Sequence, residues 1–346
     1  MTVSKLNTTR ALAKTLDVAD LIKAGRILLV AGDEAELTQL PEGQWVGGTV
    51  SGFLTPDGFT LPAGQLIYAD LSQIALRVEL RLFDSIQIQS LSEYYPCNGF
   101  ALAILPGYSA FLENIATHMS DWQGLYNIPL AGWVSAVPLA EIGHRQPKVF
   151  CGTGTAWDDR AAIMYVTLPD ATYAELNVVN PFCSAIGPAI RFSESGYRLS
   201  APCMADGQSV RLIDLITNGT VDASLPLIAD RDGALVNNSI INIESATGDI
   251  TFLSPIETEL VYHFAEASSI FKEALRRAVA GINLPEAALA SVCVACLPHF
   301  SADIRPMLPA IAPVTFGQIG YTVLTQTITS LNLSCLPLPS EAQDPS

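Results

Sequence analysis

The stretch from Pro306 to Ser340 contains no charged residue, and it restricts the possible folds of the chain more than any other feature. A membrane-spanning helix needs about 20 consecutive, predominantly apolar residues. This stretch is interrupted by repeated prolines and also contains glutamine, asparagine and many threonines. It therefore does not predict a membrane helix. Val314–Leu333 within it instead predicts two buried strands, and we expect no membrane insertion.

The composition is that of a folded protein, because charged residues make up only 15% of the chain and hydrophobic residues 49%. Acidic residues outnumber lysine and arginine by 34 to 18, which gives a formal net charge of −16. Nucleic acids and anionic membrane surfaces both attract proteins through lysine and arginine. We therefore expect neither as a partner. The first 25 residues lack the apolar core of a signal peptide, so we expect a cytoplasmic protein.

Hydrophobic periodicity predicts both strands and helices. Leu76–Phe83 alternates apolar and charged residues, which is typical of a half-buried strand. Ser109 is a candidate N-cap for a helix over 110–119. Further predicted strands are Arg26–Ala31, Phe100–Leu105 and Val292–Cys296, and a further amphipathic helix is Ser268–Ala280. Because strands and helices are interspersed without strict βαβ spacing, we predict an α/β fold of two mixed β-sheets with helices packed outside.

Cys293, Cys296 and His299 form the one cluster with metal-ligand spacing. Structural zinc usually takes two such pairs, and a second pair is missing here. A redox CxxC usually opens a helix, whereas this one lies in an apolar strand pattern. Three interpretations remain open: buried strand thiols, contact with a ligand or haem, and zinc or redox chemistry. An enzyme that uses either thiol with His299 is a further alternative.

Glycines stand beside aromatic residues at three places in the chain. These places are Trp45 with Gly47 and Gly48, Gly132 with Trp133, and Phe316–Gly317 with Gly320–Tyr321. Glycine in a strand marks a bulge or a close approach of backbone or ligand. The pattern therefore indicates either simple strand-end geometry or the floor of a small-molecule pocket. No nucleophile elbow and no P-loop occurs, so the sequence specifies no enzyme.

Several short segments, taken in order, resemble the FIST sensory domain family. They are Trp45–Ser51, Ile128–Val137, Val149–Gly154, Leu225–Asp230, Ser291–Cys296 and Thr315–Leu333. The chain departs from the family at two places. Gln318 stands where the family typically has glutamate, and Leu324–Thr327 stands where many members have a histidine-containing segment.

The resemblance implies a small-molecule-binding sensory and signal-transduction module without catalysis, with a signalling protein as its partner. It also implies two similar-sized subdomains, residues 17–216 and 217–335, followed by a flexible tail over 336–346. One branch of the family implies a haem-linked gas sensor, for which His299 is the favoured ligand. The residues expected to bind the ligand are Trp45, Gly47, Gly48, Thr49, Gly132, Trp133, Cys296, Gly317, Gln318, Tyr321 and Gln326.

The low fraction of charged residues favours a third class, a structural or assembly protein. Closed two-fold assemblies are the commonest oligomers of soluble proteins. We therefore expect a homodimer.

Overall fold

The computed structural model describes residues 4–6, 8–182, 185–231, 233–266, 271–279, 282 and 284–336. Its strands form five sheets with short helices between them, which confirms the predicted α/β class with mixed β-sheets. The expected number of two sheets is wrong. Local alternation predicts strands but not which distant strands pair, so it does not determine the number of sheets.

In chain order the strands are β1 (Ser4–Leu6), β2 (Thr9–Lys14), β3 (Leu28–Gly32), β4 (Trp45–Thr49), β5 (Gly52–Thr55), β6 (Gly58–Thr60), β7 (Gln65–Asp70), β8 (Arg77–Phe83), β9 (Gly99–Leu105), β10 (Leu130–Val134), β11 (Val149–Cys151), β12 (Ala161–Thr167), β13 (Thr172–Val179), β14 (Ala185–Arg191), β15 (Gly196–Leu199), β16 (Cys203–Ala205), β17 (Gln208–Val210), β18 (Leu227–Arg231), β19 (Ala234–Asn238), β20 (Ile240–Glu244), β21 (Asp249–Ile256), β22 (Tyr262–Ala265), β23 (Leu289–Cys293), β24 (Ala312–Thr315), β25 (Gly317–Gly320), β26 (Thr322–Leu324) and β27 (Ile328–Cys335). The α-helices are α1 (Thr15–Lys23), α2 (Glu34–Leu37), α3 (Ala110–Ala116), α4 (Leu212–Thr217) and α5 (Phe271–Ala278). Short 3₁₀ helices cover Gln87–Tyr94, Met119–Asp121, Leu125–Asn127, Leu139–Glu141, Leu284–Glu286, Val294–His299 and Arg305–Met307.

Sheet I has the strand order β11-β4-β3-β7-β2, and helices α1 and α2 cover its outer face. Strands β3 and β4 are parallel and are joined through α2, since parallel neighbours need a crossover connection. Asp33 begins α2 by accepting a hydrogen bond from the Ala35 N–H at 3.0 Å. The position of α1 and α2 agrees with the expected placement of helices outside the sheets.

Sheet II has the order β26-β25-β10-β9-β12-β8 and contains the predicted alternating strand as β8. Strands β9 and β10 are parallel and are joined through α3. The Ser109 hydroxyl accepts a hydrogen bond from the Leu112 N–H at 3.1 Å, which confirms the predicted N-cap. The predicted helix is shorter than expected, because α3 ends at Ala116 and a 3₁₀ turn follows at 119–121.

Sheet III joins the two ends of the chain in the order β1-β27-β23-β24-β5-β6, with β13 on the other edge of β27. Residues 185–265 build sheet IV, in the order β17-β16-β14-β22-β18-β19, and sheet V, in the order β15-β21-β20. Strands from both sides of the predicted subdomain boundary at 216/217 therefore share sheet IV. Within the described part of the chain, no helix is both long and apolar enough to cross a membrane.

The part of the core that matters for the site lies where sheets I, II and III face one another. Alternate residues of β9 point to opposite sides of sheet II. Phe100, Leu102 and Ile104 join the apolar cluster shared by the three sheets. Ala101 and Ala103 join a separate cluster that includes α3.

Candidate ligand-binding cavity

A narrow cavity lies between sheets I, II and III, within the apolar cluster that they share. Its volume is about 40 Å³, which is room for a few water molecules or one small apolar ligand. Strands β2, β3 and β7 of sheet I form one wall. Strands β9 and β10 of sheet II, and β23 and β27 of sheet III, form the opposite side.

Small side chains at the centre of these walls leave the space. Ala31 and Ala69 line the cavity from sheet I, and Ala131 and Gly132 line it from β10. The surrounding apolar side chains, such as Leu29, are larger. The cavity is therefore a consequence of residue size at a few strand positions.

Gly132 has to be glycine because β10 approaches β9 very closely at this position. A Cβ atom on residue 132 would lie 1.8 Å from the Ala103 carbonyl oxygen, and the φ angle of Gly132 is +150°. The carbonyl oxygen of Gly132 accepts a hydrogen bond from the Ser291 hydroxyl at 3.5 Å. The sequence prediction of a close backbone approach at Gly132–Trp133 agrees with this geometry.

Trp133 contributes a buried indole ring to the cavity wall. Its side chain is buried with 2% exposure, and its Nε1 has no hydrogen-bond partner among the described residues. A buried tryptophan N–H usually finds an acceptor. The hydroxyl groups of Ser291 and Thr329, which also line the cavity, lie 3.0 Å apart. The cavity thus combines apolar walls with a few hydrogen-bonding groups.

Arg10 is the one charged residue among the described residues of the lining. It lies on β2, and its Nη1 and Nη2 each donate to a carbonyl oxygen at 3.2 Å, those of Ile311 and Pro285 respectively. Burial lowers the pKa of Arg10 through loss of solvation. The guanidinium of Arg10 therefore places a positive charge beside an apolar cavity.

Ser330 differs from the other hydroxyl-bearing residues at the cavity. Its Oγ has no hydrogen-bond partner in the described part of the chain, and the same is true of Asn177 Nδ2. The two residues are paired across β13 and β27. Strand alternation places both side chains on the face opposite Leu331, so we assign the Ser330 hydroxyl to that face and not to the cavity.

The predicted site residues on β4 lie away from the cavity. Trp45 is fully buried beneath α1 and α2, and its Nε1 donates to a carbonyl oxygen at 2.9 Å. A Cβ atom on Gly47 would lie 2.4 Å from the carbonyl oxygen of Val30 on β3, and one on Gly48 would lie 2.6 Å from the Ile104 side chain of sheet II. Thr49 Oγ1 accepts a hydrogen bond from the Lys148 N–H at 2.9 Å. All four positions are explained by packing and by hydrogen bonds within the protein.

Gln318 lies on β25 and belongs to a buried polar cluster with Thr315 and Thr327, outside the cavity lining. Its amide lies 2.9 Å from Thr327 Oγ1 and 3.1 Å from Thr315 Oγ1. When the amide nitrogen faces Thr327, the amide oxygen accepts a hydrogen bond from the Cys293 N–H at 2.7 Å. Both ends of the amide are then satisfied. Gln318 thus holds strands together by neutral hydrogen bonds.

Gln326 directly precedes Thr327 of this polar cluster and contacts His299. Gln326 has a φ angle of +52°, which is unusual for a residue other than glycine. Its Oε1 accepts a hydrogen bond from the Ser239 hydroxyl at 2.8 Å, and its Nε2 donates to the Ala295 carbonyl oxygen at 3.3 Å. Its Nε2 also lies 3.5 Å from His299 Nε2. The structure therefore brings Gln318, Gln326 and His299 into one region, but outside the cavity.

Gly317 and Tyr321 lie at the two ends of β25 and its following turn. A Cβ atom on residue 317 would lie 2.7 Å from the Leu324 carbonyl oxygen. Tyr321 has a φ angle of +65°, and its ring centroid lies 5.0 Å from that of Tyr126. Neither residue lines the cavity.

Cys293 and Cys296 are buried thiols, but only one of them lies in a strand. Cys293 ends β23, whereas Cys296 lies in the 3₁₀ helix 294–299, so the predicted strand over 292–296 is too long. Burial raises the pKa of Cys293 to about 11 and raises that of Cys296 well above its ordinary value. Both sulfurs face backbone carbonyl oxygens. Neutral thiols in such surroundings do not favour nucleophilic catalysis.

His299 packs edge-on against Phe182, with ring centroids 5.4 Å apart, and burial lowers its pKa. Its Nε2 faces the Gln326 amide, so ligation of haem iron through this nitrogen would require that amide to move. This packing does not fit a haem. In the described part of the chain, no group of three or more His, Cys, Asp or Glu residues could hold a metal ion.

Sequence reasoning missed Arg10, Ser291 and Thr329. Arg10 and Leu12 lie on the same face of β2. An arginine on the apolar face of an alternating strand is the sequence signal that could have identified it. Ser291 and Thr329 lie opposite each other on β23 and β27, and no local pattern predicts that pairing.

Over residues 13–334 the chain matches a family described as a family of unknown function, DUF6976, and it belongs to that family. No curated protein matches the chain, and no solved structure matches it. The family description assigns no activity, so the function has to be argued from the cavity.

Proposed function

We propose that this chain is a small-molecule-binding sensory module without catalysis, and that its ligand occupies the cavity between sheets I, II and III. The observation that carries the proposal is the cavity itself, which small residues on β3, β7 and β10 leave between apolar walls and which the hydroxyl groups of Ser291 and Thr329 also line. A small ligand would contact the apolar walls, and the two hydroxyl groups would be its hydrogen-bonding partners.

The sensory part of the proposal rests on the resemblance to FIST domains. In this proposal the ligand-bound chain acts on a separate signalling protein in the cytoplasm, and the chain works as a homodimer. Sedimentation of the purified protein tests the dimer, and a monomer at micromolar concentration would contradict it.

Filling the cavity should weaken binding of a small apolar probe such as xenon, which enters apolar cavities in proteins. Ala69→Leu and Ala131→Leu each place a larger side chain where the probe would lie. Because the leucine occupies the space that the probe needs, we expect the affinity to fall by at least about tenfold, which is about 1.4 kcal/mol. ¹²⁹Xe NMR titration of wild type and of each variant measures this change.

The matched control is Ala35→Leu, because Ala35 is exposed on α2 and does not line the cavity. This variant should bind xenon as the wild type does. Thermal melting shows whether each variant is folded. Two results contradict the proposal: no saturable xenon binding by the wild type, or wild-type affinity for xenon in folded cavity-filled variants.

A further inference from the structure

The chain contains two Asn-Gly dipeptides, Asn98–Gly99 and Asn218–Gly219, and the structure places them in contrasting surroundings. Asparagine is a chemically labile residue. It loses its side-chain amide when the backbone nitrogen of the following residue attacks its Cγ atom. A following glycine favours this attack, because it has no Cβ atom to hinder ring closure and adopts a wide range of backbone angles.

The fold restrains Asn98–Gly99. Asn98 Nδ2 donates hydrogen bonds to the carbonyl oxygens of Leu168, Pro169 and Thr172, at 3.4, 2.9 and 3.0 Å respectively. Gly99 is buried and begins strand β9 in the middle of sheet II. The three hydrogen bonds hold the amide nitrogen, which is the leaving group of the reaction, so the side chain is not free to turn toward the Gly99 nitrogen.

Asn218–Gly219 lacks these restraints. Both residues are exposed, and Asn218 is the C-cap of the six-residue helix α4. In the part of the chain that the structure describes, Asn218 Nδ2 donates to no acceptor, whereas Oδ1 accepts hydrogen bonds from the Thr220 N–H at 2.9 Å and hydroxyl at 2.6 Å. Donors on a carbonyl oxygen stabilise the negative charge that develops there during attack on its carbon. The amide of Asn218 therefore has a free leaving group and a polarised carbonyl.

The attacking nitrogen has to give up one hydrogen bond. The Gly219 N–H donates to the Ile216 carbonyl oxygen at 3.1 Å, at the end of α4. Helix ends fray, and a helix as short as α4 is marginal by itself. A Cβ atom on residue 219 would meet no atom within 4 Å, so there is space around this turn for the backbone to rotate.

We propose that Asn218–Gly219 is a site of spontaneous deamidation in the folded protein, and that the fold protects Asn98–Gly99. The Gly219 nitrogen forms a bond to Asn218 Cγ, and the Cγ–Nδ2 bond breaks. The side-chain nitrogen takes the proton of the Gly219 N–H and leaves as ammonia. Water then opens the succinimide at either carbonyl, which gives aspartate or isoaspartate at position 218. This modification does not depend on the proposed function of the cavity.

The reaction changes the end of α4. A carboxylate at position 218 lies at the negative end of the helix dipole, where a negative charge is unfavourable. Isoaspartate also lengthens the main chain of the turn by one carbon atom. The formal net charge of −16 becomes more negative by one unit, so the product separates from the parent protein on an anion exchanger.

Incubation of the full chain at mildly alkaline pH, followed by peptide mapping with mass spectrometry, tests the proposal. At each site the measured quantity is the fraction of peptide that shows the mass difference between an amide and an acid. In folded protein, Asn218 should convert at least about tenfold faster than Asn98. In urea-unfolded protein the two sites should convert at similar rates, because the hydrogen bonds that protect Asn98 are then lost.

Gly219→Ala is the matched variant. Its methyl group meets no atom within 4 Å in the folded chain, but it hinders attack by the backbone nitrogen of residue 219. Conversion at position 218 should fall by at least about tenfold in this variant. Thermal melting of the variant shows whether it is folded.

Three results would overturn parts of the proposal. Conversion of Asn218 in urea but not in folded protein would show that the hydrogen bonds at the end of α4 protect it. Equal conversion of Asn98 and Asn218 in folded protein would overturn the protection of Asn98. An unchanged rate in folded Gly219→Ala would overturn the attack by the Gly219 nitrogen.

Discussion

Gly132→Ala is expected to unfold the protein. The new methyl group would lie 1.8 Å from the Ala103 carbonyl oxygen, on a parallel strand pair in the middle of sheet II. Because the clash is with a backbone atom, no side-chain rotation can relieve it, and β9 and β10 must separate. We expect a loss of more than about 4 kcal/mol in the free energy of unfolding, measured by urea denaturation or seen as insoluble expression.

Gly143→Ala is the matched control for this substitution. Gly143 also has a positive φ angle, +82°, but a Cβ atom there meets no atom within 4 Å. Only the left-handed backbone conformation is penalised, at about 1–2 kcal/mol. Equal stability of the two variants would contradict the close approach of β9 and β10.

Arg231→Met is expected to cause the second large loss of stability. Arg231 ends β18 and forms an ion pair with Glu257, and the two side chains are only 10% and 14% exposed. Its Nη1 also donates to the Ala116 carbonyl oxygen at 3.2 Å and to the Thr322 hydroxyl at 3.0 Å. Removal of one partner of a buried ion pair leaves an uncompensated charge, which costs about 3–5 kcal/mol.

Arg198→Met provides the comparison, because the Arg198–Asp249 pair is more exposed, at 62% and 17% for the two side chains. Exposed ion pairs contribute about 0.2–1 kcal/mol. Urea denaturation should therefore show a clearly larger loss in the free energy of unfolding for Arg231→Met than for Arg198→Met. A similar small loss in both variants would show that Arg231 does not hold sheet IV against α3 and β26.

The sequence predicts local elements of this fold well, because their causes are local. Strand β8 follows from alternation at 76–83, and the start of α3 follows from the Ser109 cap. The pairing of β27 with β1, β13 and β23 could not be predicted in the same way. That pairing depends on contacts between opposite ends of the chain, about which local periodicity carries no information.

In the candidate site, too, local features could be predicted from the sequence and long-range ones could not. Gly132 and Trp133 are adjacent, so a glycine beside an aromatic residue marked them in the sequence. Arg10, Ser291 and Thr329 reach the same cavity from three other strands in two sheets, and only the assembled sheets bring them together. Gln318 and Gln326 were expected at a ligand, and the structure instead satisfies their amides with protein groups.

The indole N–H signals of the tryptophans test the central claim most directly. The chain has four tryptophans, and each gives one cross-peak in a ¹⁵N–¹H spectrum. Trp45 donates to a protein carbonyl, whereas Trp133 has no acceptor in the described structure and lines the cavity. Titration with xenon should shift the Trp133 signal, assigned with Trp133→Phe, and leave the Trp45 signal in place. A saturating titration that leaves the Trp133 signal unmoved would contradict a ligand in this cavity.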